Sequence, residues 1–335
     1  MVGEFPELQG VMGGYYAAAQ GEPRGVADAV RDHYKPVGQG DEVPTAPVTV
    51  AVSLADKLDT LFSFFREGML PTGSKDPFAL RRAALGVLQL IEKNGLRFRI
   101  DWAAKRWNVV PQTSFALVLT DFLQDRLGVR LREQGIRYDF VQASCAWGTG
   151  LDDRLDRVQA RARALHSLVL TDDGANLLAG YKRAANILKK EGYAPAAAVT
   201  PAEAGVSGDG AVQEPRDAPA SAGATESATV LSSATPAALH EAPASAGATE
   251  EREPAEAALS AALDVAEPAA ADAVAREDFA AAMAALATLR APIDAFFDTV
   301  IVNDADPAKR SARLALLARV RSAVHGVADF SKVEG

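Results

Sequence analysis

The protein has 335 residues and a formal net charge of −9, from 35 Lys and Arg against 44 Asp and Glu. This length fits two ordinary domains, and 48% hydrophobic residues are enough for a sizeable core. The single cysteine, Cys145, excludes a disulfide framework and a thiolate zinc site, so a cytoplasmic location is expected. No apolar run approaches the length of a membrane span, so no membrane partner is expected. The acidic balance of the whole chain argues against nucleic acid.

One long stretch, residues 195–272, consists mainly of Ala, Pro, Gly, Ser, Thr and Glu and has no aromatic residue. It contains the sequence APASAGATE twice, at 218–226 and 242–250. Such a composition cannot bury enough apolar area to offset the entropy of ordering, so it predicts a disordered insertion. The stretch holds two arginines and thirteen acidic residues, which leaves a net charge of +2 for the rest of the chain. The acidic balance therefore belongs to the insertion, and the argument against nucleic acid lapses.

Helical periodicity, with apolar residues three and four positions apart, accounts for nearly all of the remaining sequence. Asp76 followed by Pro77 is a typical helix start, and Pro36 is a typical stop. No alternating β pattern of any length competes, so the predicted fold class is all-α. In chain order, helices are predicted over 26–34, 47–65, 77–91, 102–108, 114–134, 151–170, 176–191, 276–288, 292–297 and 307–324.

Two consecutive predicted helices carry regular rows of basic residues. Arg154, Arg157 and Arg161 follow an i, i+3, i+7 spacing beside an apolar stripe, and Lys182 and Lys189 lie one heptad apart on the next helix. Two packed helices of this kind would present a basic face to a phosphate backbone. The alternative is a solvated face whose arginines pair with the aspartates around them, and the pattern alone favours this alternative.

The last predicted helix, 307–324, is also basic. It carries five positive residues and has no acidic residue between 307 and 328, a pattern that attracts RNA phosphates. Arg313, however, lies on the same face as Val320 and Val324, so charge and apolar surface are not cleanly separated. This makes the helix a weaker candidate for RNA binding.

A metal site is the main catalytic alternative. Asp56 and Asp59 lie three residues apart on one predicted helix, and with His33 they suggest a metal site of the HD phosphohydrolase type. A working site needs at least three ligands and a position for water, and the chain has no His-Asp dipeptide. The solvated side of an amphipathic helix is the preferred interpretation of the two aspartates.

Several segments resemble the β subunit of the bacterial heterotetrameric glycyl-tRNA synthetase, in the order and spacing of that family. In the first half these are FPELQGVMGGYYA at 5–17, VADAVRDHYKP at 26–36, LADKLDTL at 54–61 and PTGSKDPFALRRAALGVLQLI at 71–91. In the second half, LDDRLDRVQARARAL, YKRAANILKK and FAAAMAALATLRAPIDAFFDTVIV resemble a helical anticodon-binding domain shared with arginyl-tRNA synthetase.

The resemblance implies a domain organisation. Residues 1–150 correspond to an HD-like helical domain that is expected to lack its N-terminal part. Residues 151–194 and 273–330 correspond to the anticodon-binding domain, which the insertion at 195–272 interrupts.

The resemblance also implies a function. The chain would bind tRNA-Gly, including its anticodon arm, while a separate α subunit activates glycine with ATP and Mg²⁺ in an α2β2 heterotetramer. This chain would then hold no cofactor, no metal and no catalytic residue. A metal-dependent HD-type phosphohydrolase fragment and a helical protein-interaction adaptor remain the alternatives. The residues expected to contact tRNA are Arg154, Arg157, Arg161, Lys182, Arg183, Arg290, Arg310, Arg313 and Arg321.

Overall fold

A computed structural model gives the structure of the protein and describes residues 3–38, 40–107, 113–147, 150–193 and 253–334. Helices dominate this part of the chain, so the predicted all-α class is confirmed. The only sheet within the described residues is a hairpin of two-residue strands, β1 (Ala146–Trp147) and β2 (Gly150–Leu151). The helices are α1 (Val11–Ala19), α2 (Arg24–Asp32), α3 (Pro47–Arg66), α4 (Leu80–Asn94), α5 (Ile100–Arg106), α6 (Thr113–Glu133), α7 (Tyr138–Ser144), α8 (Leu155–Val169), α9 (Asp172–Lys190), α10 (Pro254–Ala275), α11 (Phe279–Ala287), α12 (Arg290–Thr299) and α13 (Pro307–His325).

Side-chain caps explain where several helices begin. The Asp76 carboxylate accepts hydrogen bonds from the backbone amides of Leu80 and Arg81 at 2.8 and 2.9 Å, so α4 begins three residues after the predicted start. Thr171 accepts a bond from the Gly174 amide and starts α9 before the predicted residue 176. Asp306 caps α13 in the same way through the amide of Ala308.

Helix α10 shows that the predicted disordered insertion extends too far toward the C-terminus. Residues 254–272 were expected to be disordered, and the structure places them in a regular helix that packs against α11, α12 and α13. Its buried residues follow helical spacing, and alanine is the strongest helix former, so an alanine-rich stretch forms a helix once one stripe is covered. Residues 194–252 lie outside the described part of the chain. The buried stripe consists of Leu259, Leu263, Ala266, Ala270 and Ala273.

The hydrophobic core is continuous across the predicted domain boundary at residue 150. Buried residues of α6 and α7, such as Leu127 and Phe140, belong to the same cluster as Leu155 and Val158 of α8. The boundary itself falls in the β1–β2 hairpin. The division into an HD-like and an anticodon-binding domain stays a prediction.

One apolar stretch corrects an expectation about membranes. Phe279–Thr299 is long and apolar enough to cross a membrane by length and composition alone, although no such run was expected. In the structure this stretch forms two helices, α11 and α12, which are separated at residues 288 and 289. Met283, Leu286, Ile293 and Phe296 are buried in the core. These four apolar residues therefore pack within the protein, although 39% of the stretch is buried.

Candidate nucleic-acid interface

The three arginines predicted to form a basic row on α8 lie in a network of ion pairs. Arg161 is fully buried and donates to Asp152 at 2.9 Å and to the carbonyls of Ser144 and Ala146 at 2.7 Å. Arg157 donates to the same carboxylate at 2.7 Å. Burial lowers the pKa of Arg161 to about 10, against the opposing effect of Asp152, so the guanidinium stays charged at neutral pH.

Arg154 extends the network to Glu277, which follows residues 194–252 in the sequence. It pairs with Asp156, and its Nη1 atom lies 2.5 Å from the Glu277 carboxylate, just before α11. The side chain is 12% exposed. These three arginines therefore join α8 to the hairpin and to the α10–α11 connection.

The burial of Arg161 contradicts the prediction that all three arginines face RNA, whereas contact of RNA with Arg154 and Arg157, which are 12 and 14% exposed, stays a prediction. Their spacing places them beside the stripe of α8 that packs into the core. The buried carboxylate of Asp152 pairs with Arg157 and Arg161, and Arg154 pairs with Asp156 and Glu277. A guanidinium with no exposed area cannot reach a phosphate. The alternative from the sequence, in which these arginines pair with neighbouring aspartates, describes most of the observed contacts.

Arg313 is also buried, with 2% of its side chain exposed. It pairs with Glu256, with Asp304 at 2.7 Å and with Glu253 at 2.9 Å. Burial alone lowers the pKa of Arg313, but these carboxylates raise it overall. The prediction that Arg313 contacts RNA directly is corrected for the same reason as that for Arg161.

Arg290 and Arg310 remain at the surface but are paired. Arg290 donates to Asp173 at 2.7 Å and lies 3.5 Å from Asp294. Arg310 pairs with Glu191, and the hydrogen bond from Arg310 lowers the pKa of that carboxyl. Both cations share their charge with an acid, which weakens their attraction for phosphate.

Four cations without an ion pair lie together on α9. Lys182, Arg183, Lys189 and Lys190, here called the α9 basic strip, have no ion pair with another described residue. They form two pairs, Lys182 with Lys189 and Arg183 with Lys190, each one heptad apart, and all are exposed except Lys182, which is partly buried. Arg321, on α13, is partly exposed and likewise has no ion pair within the described residues. Of the nine predicted contacts, Lys182, Arg183 and Arg321 keep their charge available.

Two cavities lie along the loop of residues 300–306 that connects α12 to α13, and Arg183 of the strip lines the first of them. The first, of about 370 Å³, is lined by Arg183, Ile187, Phe297 and the first half of the loop. The second, of about 200 Å³, is lined by Tyr193, Arg310 and the second half. The cavities thus lie where α9, α12 and α13 meet.

The first cavity has a flat, charged wall. The Arg183 guanidinium lies over the Phe297 ring, 4.3 Å from the ring centroid. Unpaired bases stack on aromatic rings and guanidinium planes, and neighbouring lysines neutralise their phosphates. The strip and the first cavity together suit single-stranded nucleic acid.

Phe297 and the 300–306 loop are absent from the sequence-based candidates. The adjacent pair Phe296 and Phe297 indicates that one aromatic ring lies near the surface, because a helix that buries one residue turns the next one away from the core. Phe296 is buried and Phe297 is partly exposed. Lys189, noted only for its spacing, joins the α9 basic strip.

The structure does not assemble the metal site considered from the sequence. The Asp59 carboxylate accepts a hydrogen bond from Trp107 Nε1 at 2.7 Å, and His33 Nδ1 lies 3.0 Å from the Val30 carbonyl. Asp56 is exposed. Within the described ranges, no group of three or more His, Cys, Asp or Glu side chains is placed to hold a metal ion.

Comparison with known proteins gives two family matches. Residues 1–146 match the family described as glycyl-tRNA synthetase beta subunit, and residues 229–329 match the DALR anticodon binding domain. Phe297, Arg313 and the 300–306 loop lie inside the second match, whereas α8 and α9 lie outside both.

Curated relatives match along the whole chain. Those named glycine–tRNA ligase beta subunit include proteins from Phenylobacterium zucineum (46% identity over 336 residues), Rhodospirillum centenum (44%) and Paracoccus denitrificans (45%). Each match covers all of this chain but only 41 to 42% of the relative. The chain therefore spans about two fifths of the length of these relatives.

Proposed function

Because the chain belongs to the glycyl-tRNA synthetase beta subunit family, we propose that it is a tRNA-binding part of a glycine–tRNA ligase. The observation that carries this proposal is the α9 basic strip, which remains unpaired beside the cavity at Arg183 and Phe297. Lysines would hold the backbone of the anticodon arm, and the cavity would receive an unpaired base. The alternative of a protein-binding adaptor uses the same surface with a different partner.

The proposal assigns little covalent chemistry to this chain. Activation of glycine with ATP and Mg²⁺ would belong to a separate α subunit, within an α2β2 assembly in the cytoplasm. The relatives' name, a beta subunit, supports the existence of such a partner. The role of this chain would be to bind and orient tRNA-Gly.

A salt titration tests the RNA partner. The full chain is incubated with a tRNA-Gly anticodon stem-loop at increasing KCl, and affinity is measured by filter binding. Phosphate contacts make log K fall linearly with log salt, by about 0.7 to 0.9 for each contact. An affinity that does not change with salt would contradict the proposal and favour the adaptor.

A double variant connects the binding to the strip. Lys182→Gln with Lys189→Gln removes two charges, so we expect weaker binding and a salt slope smaller by about one to two. The matched control is Lys75→Gln with Lys93→Gln, two exposed lysines near α4. Equal losses in the two double variants would show that binding does not depend on α9.

A further inference from the structure

We propose that Arg313 is a positioning residue for RNA recognition, which holds the 300–306 loop in shape by fixing it to the start of α10. The inference rests on the proposed function and concerns the same surface. It replaces the expectation that Arg313 contacts the phosphate backbone itself.

One guanidinium reaches two points on the loop, one on α10 and one on the residue that precedes α10. Nη1 donates to the carbonyl of Ile301 at 2.6 Å and to the carboxylate of Asp304 at 2.7 Å. Nη2 donates to Glu253 at 2.9 Å, and Nε donates to Glu256. Arg313 therefore joins three segments of the chain at a position closed to solvent.

The loop so held forms the walls of both cavities. Ile301, Val302 and Asn303 line the first cavity, and Asp304 lines the second. Fixing the Ile301 carbonyl and the Asp304 side chain restricts the two residues between them. A displacement of this short segment would change the shape of the cavity that faces Arg183 and Phe297.

The loop is also held from the side of α9. Asn303 hydrogen-bonds to Glu191, which pairs with Arg310, and these contacts lower the pKa of the Glu191 carboxyl. The backbone amide of Asp306, and to a lesser degree Arg313, lowers the pKa of Asp304. Both acids therefore stay ionised at neutral pH and keep their hydrogen bonds to the cations.

The charge around Arg313 excludes direct phosphate binding. Three carboxylates, from Glu253, Glu256 and Asp304, surround this one cation. The cluster carries excess negative charge, which repels phosphate, and the guanidinium has almost no exposed area. Arg313 can influence RNA binding only through the loop that it holds.

Only arginine suits this position. A planar guanidinium donates in several fixed directions at once, whereas a lysine ammonium is a single point charge on a flexible stem. Arg313→Lys keeps the charge but cannot reach both the loop and α10. Arg313→Lys therefore shows whether the role of Arg313 depends on its hydrogen-bond geometry or on its charge alone.

The test measures affinity and salt slope for the full chain with the tRNA-Gly anticodon stem-loop. We expect Arg313→Lys to bind about tenfold more weakly, a change of one decade in Kd, with an unchanged salt slope because no phosphate contact is lost. Glu256→Gln, which alters one partner and keeps its shape, should give a smaller loss in the same direction. Circular dichroism identifies any variant that does not fold, and Glu256→Gln then decides the result.

The control is Arg161→Lys, the same substitution at another buried arginine, whose partners are Asp152, Ser144 and Ala146. It should lower the unfolding temperature without weakening RNA binding below that temperature. A salt slope reduced by about one in Arg313→Lys would mean a direct phosphate contact and overturn the inference. Unchanged affinity, or an equal loss in Arg161→Lys, would also overturn it. If the unsubstituted chain shows no salt-dependent binding, the proposed function itself fails.

Discussion

Asp152 and Arg161 form an ion pair in which neither side chain has any exposed area, with Oδ2 and Nη2 2.9 Å apart. Asp152→Asn would leave the buried guanidinium without its compensating charge, which typically costs about 3 to 5 kcal/mol. We expect a loss of that size in the free energy of unfolding, measured by urea denaturation. Asp153→Asn is the control, because its partner Arg99 is 60% exposed, and such a pair contributes at most about 1 kcal/mol. Similar losses in the two variants would contradict a buried role for Asp152.

Charge reversal at both Arg157 and Arg161 should prevent folding. The change would place two carboxylates against Asp152, which is buried just before α8. Far-UV circular dichroism of the purified double variant should show a large loss of helix. A fully helical variant that merely binds RNA less well would restore the prediction of an RNA-facing row.

Lys57 has a buried ammonium group that main-chain oxygens surround. Nζ donates to the carbonyls of His33, Tyr34 and Lys35 at 3.0 to 3.3 Å and to Ser53 Oγ at 2.9 Å. Lys57→Met would remove the side-chain donor to the His33 and Tyr34 carbonyls, at a cost of about 1 to 3 kcal/mol. The expected result at pH 7 is a less stable protein by urea denaturation.

The same residue gives a pH dependence with a defined sign. Burial lowers the pKa of Lys57 in the folded protein below its ordinary value of 10.5, so between the two pKa values the unfolded chain binds more protons. The free energy of unfolding of the wild type, minus that of Lys57→Met, should therefore rise as pH increases through this window. Below the window the difference should be constant. A difference that falls toward pH 10 would mean that the native environment raises the pKa of Lys57.

The hypothesis of a metal site predicts that a divalent ion binds at Asp56, and we expect no such binding. Chain purified without chelators should retain no stoichiometric divalent ion by elemental analysis, and Asp56→Asn should leave its thermal stability unchanged in the presence of Mn²⁺ or Mg²⁺. The reason is geometric, because Asp59 is bonded to Trp107 and His33 Nδ1 faces backbone carbonyls. Retention of one ion per chain, lost in Asp56→Asn, would favour the phosphohydrolase alternative.

Local sequence signals are sufficient to predict a helix whose start and buried stripe both lie within its own segment. Helix α3 begins at Pro47, as predicted, and ends one residue beyond the predicted end, because proline at the first turn and an apolar stripe specify it without distant contacts. The prediction of disorder for residues 254–272 is wrong because it rests on composition alone. The alanines of α10 are stabilised by α11, α12 and α13, which no local window contains.

The candidate site depended on partners that are distant in sequence. Glu277 lies 123 residues from Arg154, and Glu256 lies 57 residues from Arg313. A count of basic residues along a helix cannot reveal that these carboxylates neutralise them. Lys182 and Arg183 remain available because no acid from another segment forms an ion pair with them within the described residues. Helical spacing thus identified the basic residues, and tertiary contacts decided which of them face solvent.

Phe297 gives a test of base stacking that is independent of charge. Phe297→Leu keeps apolar volume against the core and removes the aromatic ring beneath Arg183. Stacking of one base contributes about 1 to 3 kcal/mol, so we expect the anticodon stem-loop to bind roughly tenfold or more weakly, with an unchanged salt slope. An RNA duplex without unpaired bases should bind the variant and the wild type equally. Phe64→Leu is the matched control, a partly buried phenylalanine that packs on Phe78 in the first half of the chain. Equal loss of duplex and stem-loop binding would place the contribution of Phe297 in the fold rather than in the recognition of an unpaired base.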